Sequence, residues 1–223
     1  MIEKPNLTEE ELKKNYDEFI EFISNTFSGE RKDKLLLMYD EKNLGLELAI
    51  APASLSEHFH YCFPGGYLLH IMRVVKSSLG VKKLFEMMGS NIDFTDEELI
   101  FSGIHHDLGK IGDHTGSYYV NQINDWKLKQ GELYTLNPNI QYMEVTDRAI
   151  YNLQYYGVKF TWKEYLGIKL ADGMYKESAK TYLVHFKPEM YRKTNLPRVI
   201  HVADYISCRG EYDSLQIIPN INK

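Results

Sequence analysis

Three times this chain places a threonine, two further residues and a glutamate directly ahead of an apolar stripe. The segments are Thr8-Glu9-Glu10-Glu11, Thr95-Asp96-Glu97-Glu98 and Thr161-Trp162-Lys163-Glu164. The threonine hydroxyl accepts an orphan amide of the first helical turn, and the glutamate reaches back to the threonine amide. Each segment therefore fixes a helix start. Behind the first, Leu12, Tyr16, Phe19, Ile20, Ile23 and Phe27 recur at helical spacing, with Gly29 as a stop. The second opens a helix through Leu99, Ile100, Gly103 and His106, and the third a helix to about Asp172. Further helices are expected over 33–39, from Pro64 in a first turn to about Met88, over 145–156, and from 195 to about 210. Residues 51–66 read as a structured loop. Residues 109–143, rich in Gly, Asn, Tyr and Lys, read as a long excursion with one short helix or a hairpin near Leu133-Tyr134-Thr135. Strands are few, so the expected class is all-α, a helical bundle.

Composition narrows the setting. Hydrophobic residues make up 43% of the chain and charged residues 26%, enough for a core without staples. A net charge of -5 argues against wrapping duplex nucleic acid but leaves room for a nucleotide or a few nucleotides of single strand. Cys62 and Cys208 form no Cys-x-x-Cys pair, so no zinc knuckle is expected. No signal peptide and no membrane span are read, and a cytoplasmic chain with reduced thiols is expected. The organisation expected is an N-terminal helical arm over 1–48, packed on the core and suited to packing or a homodimer contact, a main domain over 49–213 and a tail over 214–223.

The chemistry-bearing residues are His70, His105-His106-Asp107 and Asp204, each on an expected helix within an apolar stripe. A lone buried carboxylate is costly unless it is paired or metal-bound. Imidazole nitrogen and carboxylate oxygen together suit a divalent cation, and the set tolerates Mn, Fe, Co, Ni, Zn or Mg. Lys110 follows, behind Leu108-Gly109, placed to meet an anionic group near the cation. Gly109 is expected to end the helix sharply. Arg198 and His201 flank Asp204 on its helix, His201 three residues away on the same face. His185, like His201, reads as an ordinary hydrogen-bonding or packing histidine, and Trp162 as core.

His70…His106-Asp107…Asp204 resembles the H…HD…D signature of the HD superfamily of metal-dependent phosphohydrolases. The segments Ala51-Pro52-Ala53-Ser54, His58-Phe59-His60 and Phe63-Pro64-Gly65-Gly66-Tyr67-Leu68-Leu69-His70 resemble the entry segment of the HD-type 3′→5′ exoribonucleases and their phage and plasmid relatives. So do His106-Asp107-Leu108-Gly109-Lys110-Ile111-Gly112 and Leu196-Pro197-Arg198-Val199-Ile200-His201-Val202-Ala203-Asp204. The likeness covers roughly residues 50 to 210. One position departs. Many relatives carry His-Asp-Gly or His-His-Gly where this chain has Ala171-Asp172-Gly173, which favours one metal over two and leaves Asp172 as a substitute ligand or supporting group.

The resemblance implies an HD-domain bundle and attack of water on phosphorus at one divalent metal ion held by His70, His106, Asp107 and Asp204. Lys110 would stabilise transition-state charge, and His105, His114 or Asp113 would relay protons. His58, His60, His114, Asp172, Lys110 and Arg198 are expected at the substrate. Tyr118, Tyr119 and Trp126 could stack on a base. Lys176, Lys180, Lys187, Arg192, Lys193 and Arg198 make 176–198 locally basic. The implied substrate is a nucleotide, or alternatively short single-stranded RNA or DNA. A catalytically weak module that binds or senses a nucleotide is the second reading. A di-iron oxygenase is the third, and needs more histidine ligands than the chain supplies.

Overall fold

The computed structural model describes residues 6–184, 187 and 193–217, with side chains up to residue 214; His185 and Arg192 lie outside this set. In chain order the elements are α1 (Glu9–Thr26), α2 (Gly29–Met38), a π-helical turn (Glu41–Gly45), α3 (Leu46–Ile50), α4 (Gly66–Met87) and α5 (Asp96–His105). A 3-10 turn (Leu108–Ile111), β1 (Tyr119–Asn121), α6 (Asp125–Lys129), β2 (Tyr134–Leu136), α7 (Val145–Tyr155) and α8 (Trp162–Lys169) follow. A second 3-10 turn (Gly173–Tyr175), α9 (Glu177–Leu183) and α10 (Leu196–Ile217) complete the order. The class is all-α. Among the described residues no helix is long and apolar enough to cross a membrane.

All three threonine boxes close. The Glu11, Glu98 and Glu164 amides donate to Thr8, Thr95 and Thr161 Oγ1 at 3.2, 3.1 and 3.2 Å. Each glutamate accepts the returning threonine amide at 2.8, 3.0 and 2.6 Å. The 109–143 excursion holds both expected features. α6 is the short helix, and β1 and β2 form an antiparallel ribbon with Val120 opposite Thr135.

Several boundaries differ from the sequence reading, each for a local reason. Gly29 opens α2 instead of stopping α1. Its φ of +57° lets the chain reverse there. Pro64 lies outside α4, which starts at Gly66 after Gly65 at φ +82°. A Cβ on Gly66 would lie 2.1 Å from the Tyr61 carbonyl oxygen, so the loop folds onto the helix start. α8 ends at Lys169, not near Asp172. α3 and α9 were not anticipated. α10 runs on to Ile217, so the expected tail begins inside a helix.

α4 is buried on two flanks. Tyr67, Ile71 and Val75 join a cluster with Phe19 and Ile23 of α1, Leu35 of α2, Phe101 and Ile104 of α5 and Leu153 of α7. Val74 and Val81 join a second cluster with Leu99 and with Leu196, Val199, Ile200 and Ala203 of α10. α4 thus lies between α5 and α10, and a residue at its middle meets both. Trp162, expected in the core, is half exposed.

Polar cross-links also sit inside. Arg31 Nη1 donates to the buried Glu164 at 2.7 Å. Arg148 pairs with Asp113, whose carboxylate also accepts from the Thr115 amide at 2.8 Å. Asp113 is therefore structural, not a proton relay. Breaking a buried pair leaves an uncompensated charge and costs about 3–5 kcal/mol. Asp113→Ala should lower unfolding free energy by about that amount in urea titrations, whereas Lys13→Ala, at an exposed pair, should cost under about 1 kcal/mol. Equal effects of the two would contradict this assignment.

Candidate metal centre

His70 comes from the second turn of α4, His106 and Asp107 from the residues just past α5, and Asp204 from α10. α5 ends at His105, before Gly109. The glycine is needed for contact, since a Cβ there would lie 2.1 Å from the Val145 carbonyl oxygen. The tight turn at Leu108–Ile111 packs against the start of α7 and brings His106 and Asp107 over the end of α5.

The four side chains meet. His70 Nε2 lies 3.3 Å from Asp204 Oδ1 and 3.7 Å from Asp107 Oδ2. His106 Nε2 lies 3.5 Å from Asp107 Oδ2 and 3.7 Å from Asp204 Oδ1. Nitrogen and oxygen donors about 2.0–2.2 Å from one cation stand roughly 3.0–3.5 Å apart, so these separations suit a shared ion. Both Nε2 atoms are fully buried and have no hydrogen-bond partner. His70, His106 and Asp107 together could hold a metal ion, and Asp204 Oδ1 lies within 3.3–3.7 Å of both imidazoles.

The other ring nitrogens explain the orientation. His106 Nδ1 is 2.8 Å from the Gly103 carbonyl and donates to it, which leaves its Nε2 lone pair facing the carboxylates. His70 Nδ1 lies 3.0 Å from Oε2 of the buried Glu211. A carboxylate on the far ring nitrogen fixes a ligating histidine and raises its basicity. Sequence reasoning missed Glu211. The signal was present on α10, where His201, Asp204, Cys208 and Glu211 recur at spacings of three, four and three, one helical face.

Charge is balanced locally. Lys110 Nζ lies 2.6 Å from Asp107 Oδ2. Burial opposes its charge, but Asp107 outweighs burial and holds the ammonium well above its ordinary range. Burial also works against the Asp204 carboxylate, yet His106 and His70 hold it far below the usual carboxylate value. Asp172 is pushed up by burial and by the nearby Asp107.

A cavity of about 670 Å³ opens beside Asp204, with His58, His60, Asp172, His201, Cys208 and Arg209 among its walls. His58, His60 and Asp172 thus line the cavity beside Asp204. Lys110 also borders a smaller cavity of about 250 Å³ with Tyr118, Tyr119 and Tyr134. Three expected site residues lie elsewhere. His105 points away from the metal ligands, its Nδ1 2.6 Å from the Phe101 carbonyl and its ring stacked on Tyr39, so it is a core residue. His114 is exposed and lies flat on Tyr155 of α7 at 4.1 Å. Arg198 faces solvent and donates to Asn195 on its own helix start. Trp126 is largely exposed, and Tyr118 is buried beneath Arg148.

Compared with family models, curated proteins and solved structures, the chain gives no match.

Two measurements test this centre. Glu211→Ala should weaken divalent-metal affinity about 10–100-fold in competition titrations, and unchanged affinity would remove Glu211 from the site. The second is the pH dependence of the metal-free fold. Burial disfavours the His70 imidazolium, but Asp204 and Glu211 prevail and raise its pKa to about 9. That contribution is complete below the unfolded value near 6.5 and is lost as pH rises through about 9. Burial lowers His105 to about 3 and His60 to about 2. Their contribution is complete above about 6.5 and is lost as pH falls. The urea midpoint of the metal-free chain should peak near pH 6.5, and saturating cation should remove the alkaline decline, because ligation takes unprotonated imidazole. A flat midpoint from pH 6.5 to 9 would contradict it.

Proposed function

We propose that this chain is a metal-dependent phosphohydrolase of the HD type that cleaves a phosphoester or phosphoanhydride bond of a nucleotide. The observation that carries the proposal is the pair of buried, unpartnered Nε2 atoms of His70 and His106 facing Asp107 and Asp204. Those four residues would hold one divalent cation, of the Mn, Fe, Co, Ni, Zn or Mg group. When bound, the cation lowers the pKa of water and neutralises charge on phosphoryl oxygens.

The protein's own groups support the same chemistry. Lys110 fixes Asp107 and keeps a permanent positive charge beside the site. Asp172, its pKa raised by burial, lies in the cavity wall where it can exchange a proton with substrate or water. The cavity has the size of a small-ligand pocket and carries a recognition rim. The Arg209 guanidinium lies 5.6 Å from the Tyr205 ring centroid, and Phe59, Tyr175 and Tyr212 complete an aromatic border. Arginine suits phosphate and aromatic faces suit a base. A cavity of this size suits a mononucleotide or a strand end better than a long single strand.

The alternative, a module that senses a nucleotide without turnover, starts from the missing imidazole at Ala171. One observation weighs against it. His201 of α10 brings its ring to this corner, with Nδ1 2.8 Å from the Ala171 carbonyl, so an imidazole borders the cavity there from another element.

The test is a screen of the purified, metal-loaded chain against nucleoside mono-, di- and triphosphates, cyclic nucleotides and short single strands, with product release measured with and without chelator. Chelator-sensitive turnover is expected. Removal of a ligand in His106→Ala or Asp107→Ala should reduce it by about 100-fold or more. Tight nucleotide binding with no turnover would favour the sensor. Full activity in either variant would overturn the assignment.

A further inference from the structure

Asp204 has a second neighbourhood on its cavity side. Cys208 lies one turn further along α10, with Sγ 3.3 Å from Asp204 Oδ1. His60 reaches in from the loop before α4, with Nε2 3.7 Å from Cys208 Sγ. Its position is held by Ser54 Oγ, which donates to the His60 carbonyl at 2.7 Å. The His60 ring centroid is 4.5 Å from that of His70, and donor atoms of His60, His70 and Cys208 all lie within 4.8 Å of one another. His60 and Cys208 are partly buried and both line the large cavity, so an ion from solvent can reach them.

These separations fit coordination. With metal–sulfur near 2.3 Å and metal–nitrogen or metal–oxygen near 2.0–2.1 Å, neighbouring donors of a tetrahedral site stand roughly 3.5 Å apart. The Cys208–Asp204 and Cys208–His60 distances both fall within a few tenths of an ångström of that value. His70 Nε2, also without a hydrogen-bond partner, lies 3.3 Å from the same carboxylate oxygen.

We propose that His60 Nε2 and Cys208 Sγ, with Asp204 as a bridging carboxylate, form a second cation position next to the first, one that takes a thiophilic ion such as Zn(II), Co(II) or Fe(II) in preference to Mg(II). On binding, the Cys208 S–H bond breaks, its proton leaves to solvent and a metal–sulfur bond forms, with no change of oxidation state. A thiolate ligand selects softer ions than an all-nitrogen and oxygen set. Three protein donors leave a vertex open toward the cavity, where Asp172 and His201 also face. The inference rests on the first site only in sharing Asp204, and it requires no turnover.

The probe is Co(II) added to the metal-free full chain, followed by absorption and by bound-metal stoichiometry. Two equivalents per chain are expected, with a thiolate-to-cobalt charge-transfer band in the near ultraviolet. Cys208→Ser, nearly isosteric, should lose the band and retain one equivalent. His60→Gln should weaken the titration of the band at least 10-fold. His106→Ala should lose the other equivalent and keep the band. One equivalent without a band would overturn this proposal and leave the first site standing. No bound cobalt would overturn both. A band that survives Cys208→Ser would place the thiolate at Cys62 and refute the assignment.

Discussion

Two imidazoles and the Asp107 carboxylate are withdrawn from water, and the Asp204 carboxylate partly so, where α4, the end of α5 and α10 meet, and the arrangement of those three elements depends on how that polarity is compensated. A charge buried alone would neutralise or unfold its surroundings. Here each group has a counterpart from another element. His70 on α4 spans from Glu211 to Asp204, both on α10. Lys110 answers Asp107. The turn after α5 brings His106 between Asp107 and Asp204. These pairings set the rotation of α10 against α4 more sharply than apolar packing can, because Val74, Val199 and Ala203 would tolerate modest shifts.

Much of this was legible in the residues. The three threonine boxes specify helix starts by local chemistry, and all three form. The four ligand candidates were legible because ionisable side chains inside apolar stripes need compensation. What the sequence concealed followed from tertiary contact. His105 and His106 are adjacent and equal in type, and only packing decides which faces the ligands. Tyr39 and Phe101 take His105 into the core. Gly109 looks like a helix terminator, yet its absent side chain serves the close approach of Val145. Asp113 looks like an acid near the site, yet a partner 35 residues away, Arg148, claims it.

Glu211 and Cys208 were legible in principle. They continue the register of His201 and Asp204 on one face of α10, but reading α10 as ending near 210 placed Glu211 beyond it. The consequence is functional. The helix that carries Asp204 also carries the group that orients His70, a thiol beside the carboxylate, and Arg209, Tyr205 and Tyr212 along the cavity wall. In the proposed function, α10 would connect metal retention with ligand recognition. α4 and α5 contribute the rigid imidazoles, and the loop with His58 and His60 supplies the opposite wall.

The central claim is that three separated segments converge on one cation. Anomalous diffraction from crystals of the full chain soaked in Mn(II) or Zn(II) tests it most directly. A peak within coordinating distance of His70 Nε2, His106 Nε2, Asp107 and Asp204 is the result this account predicts. Metal density elsewhere, with the His70 and His106 rings turned from those carboxylates, would contradict it.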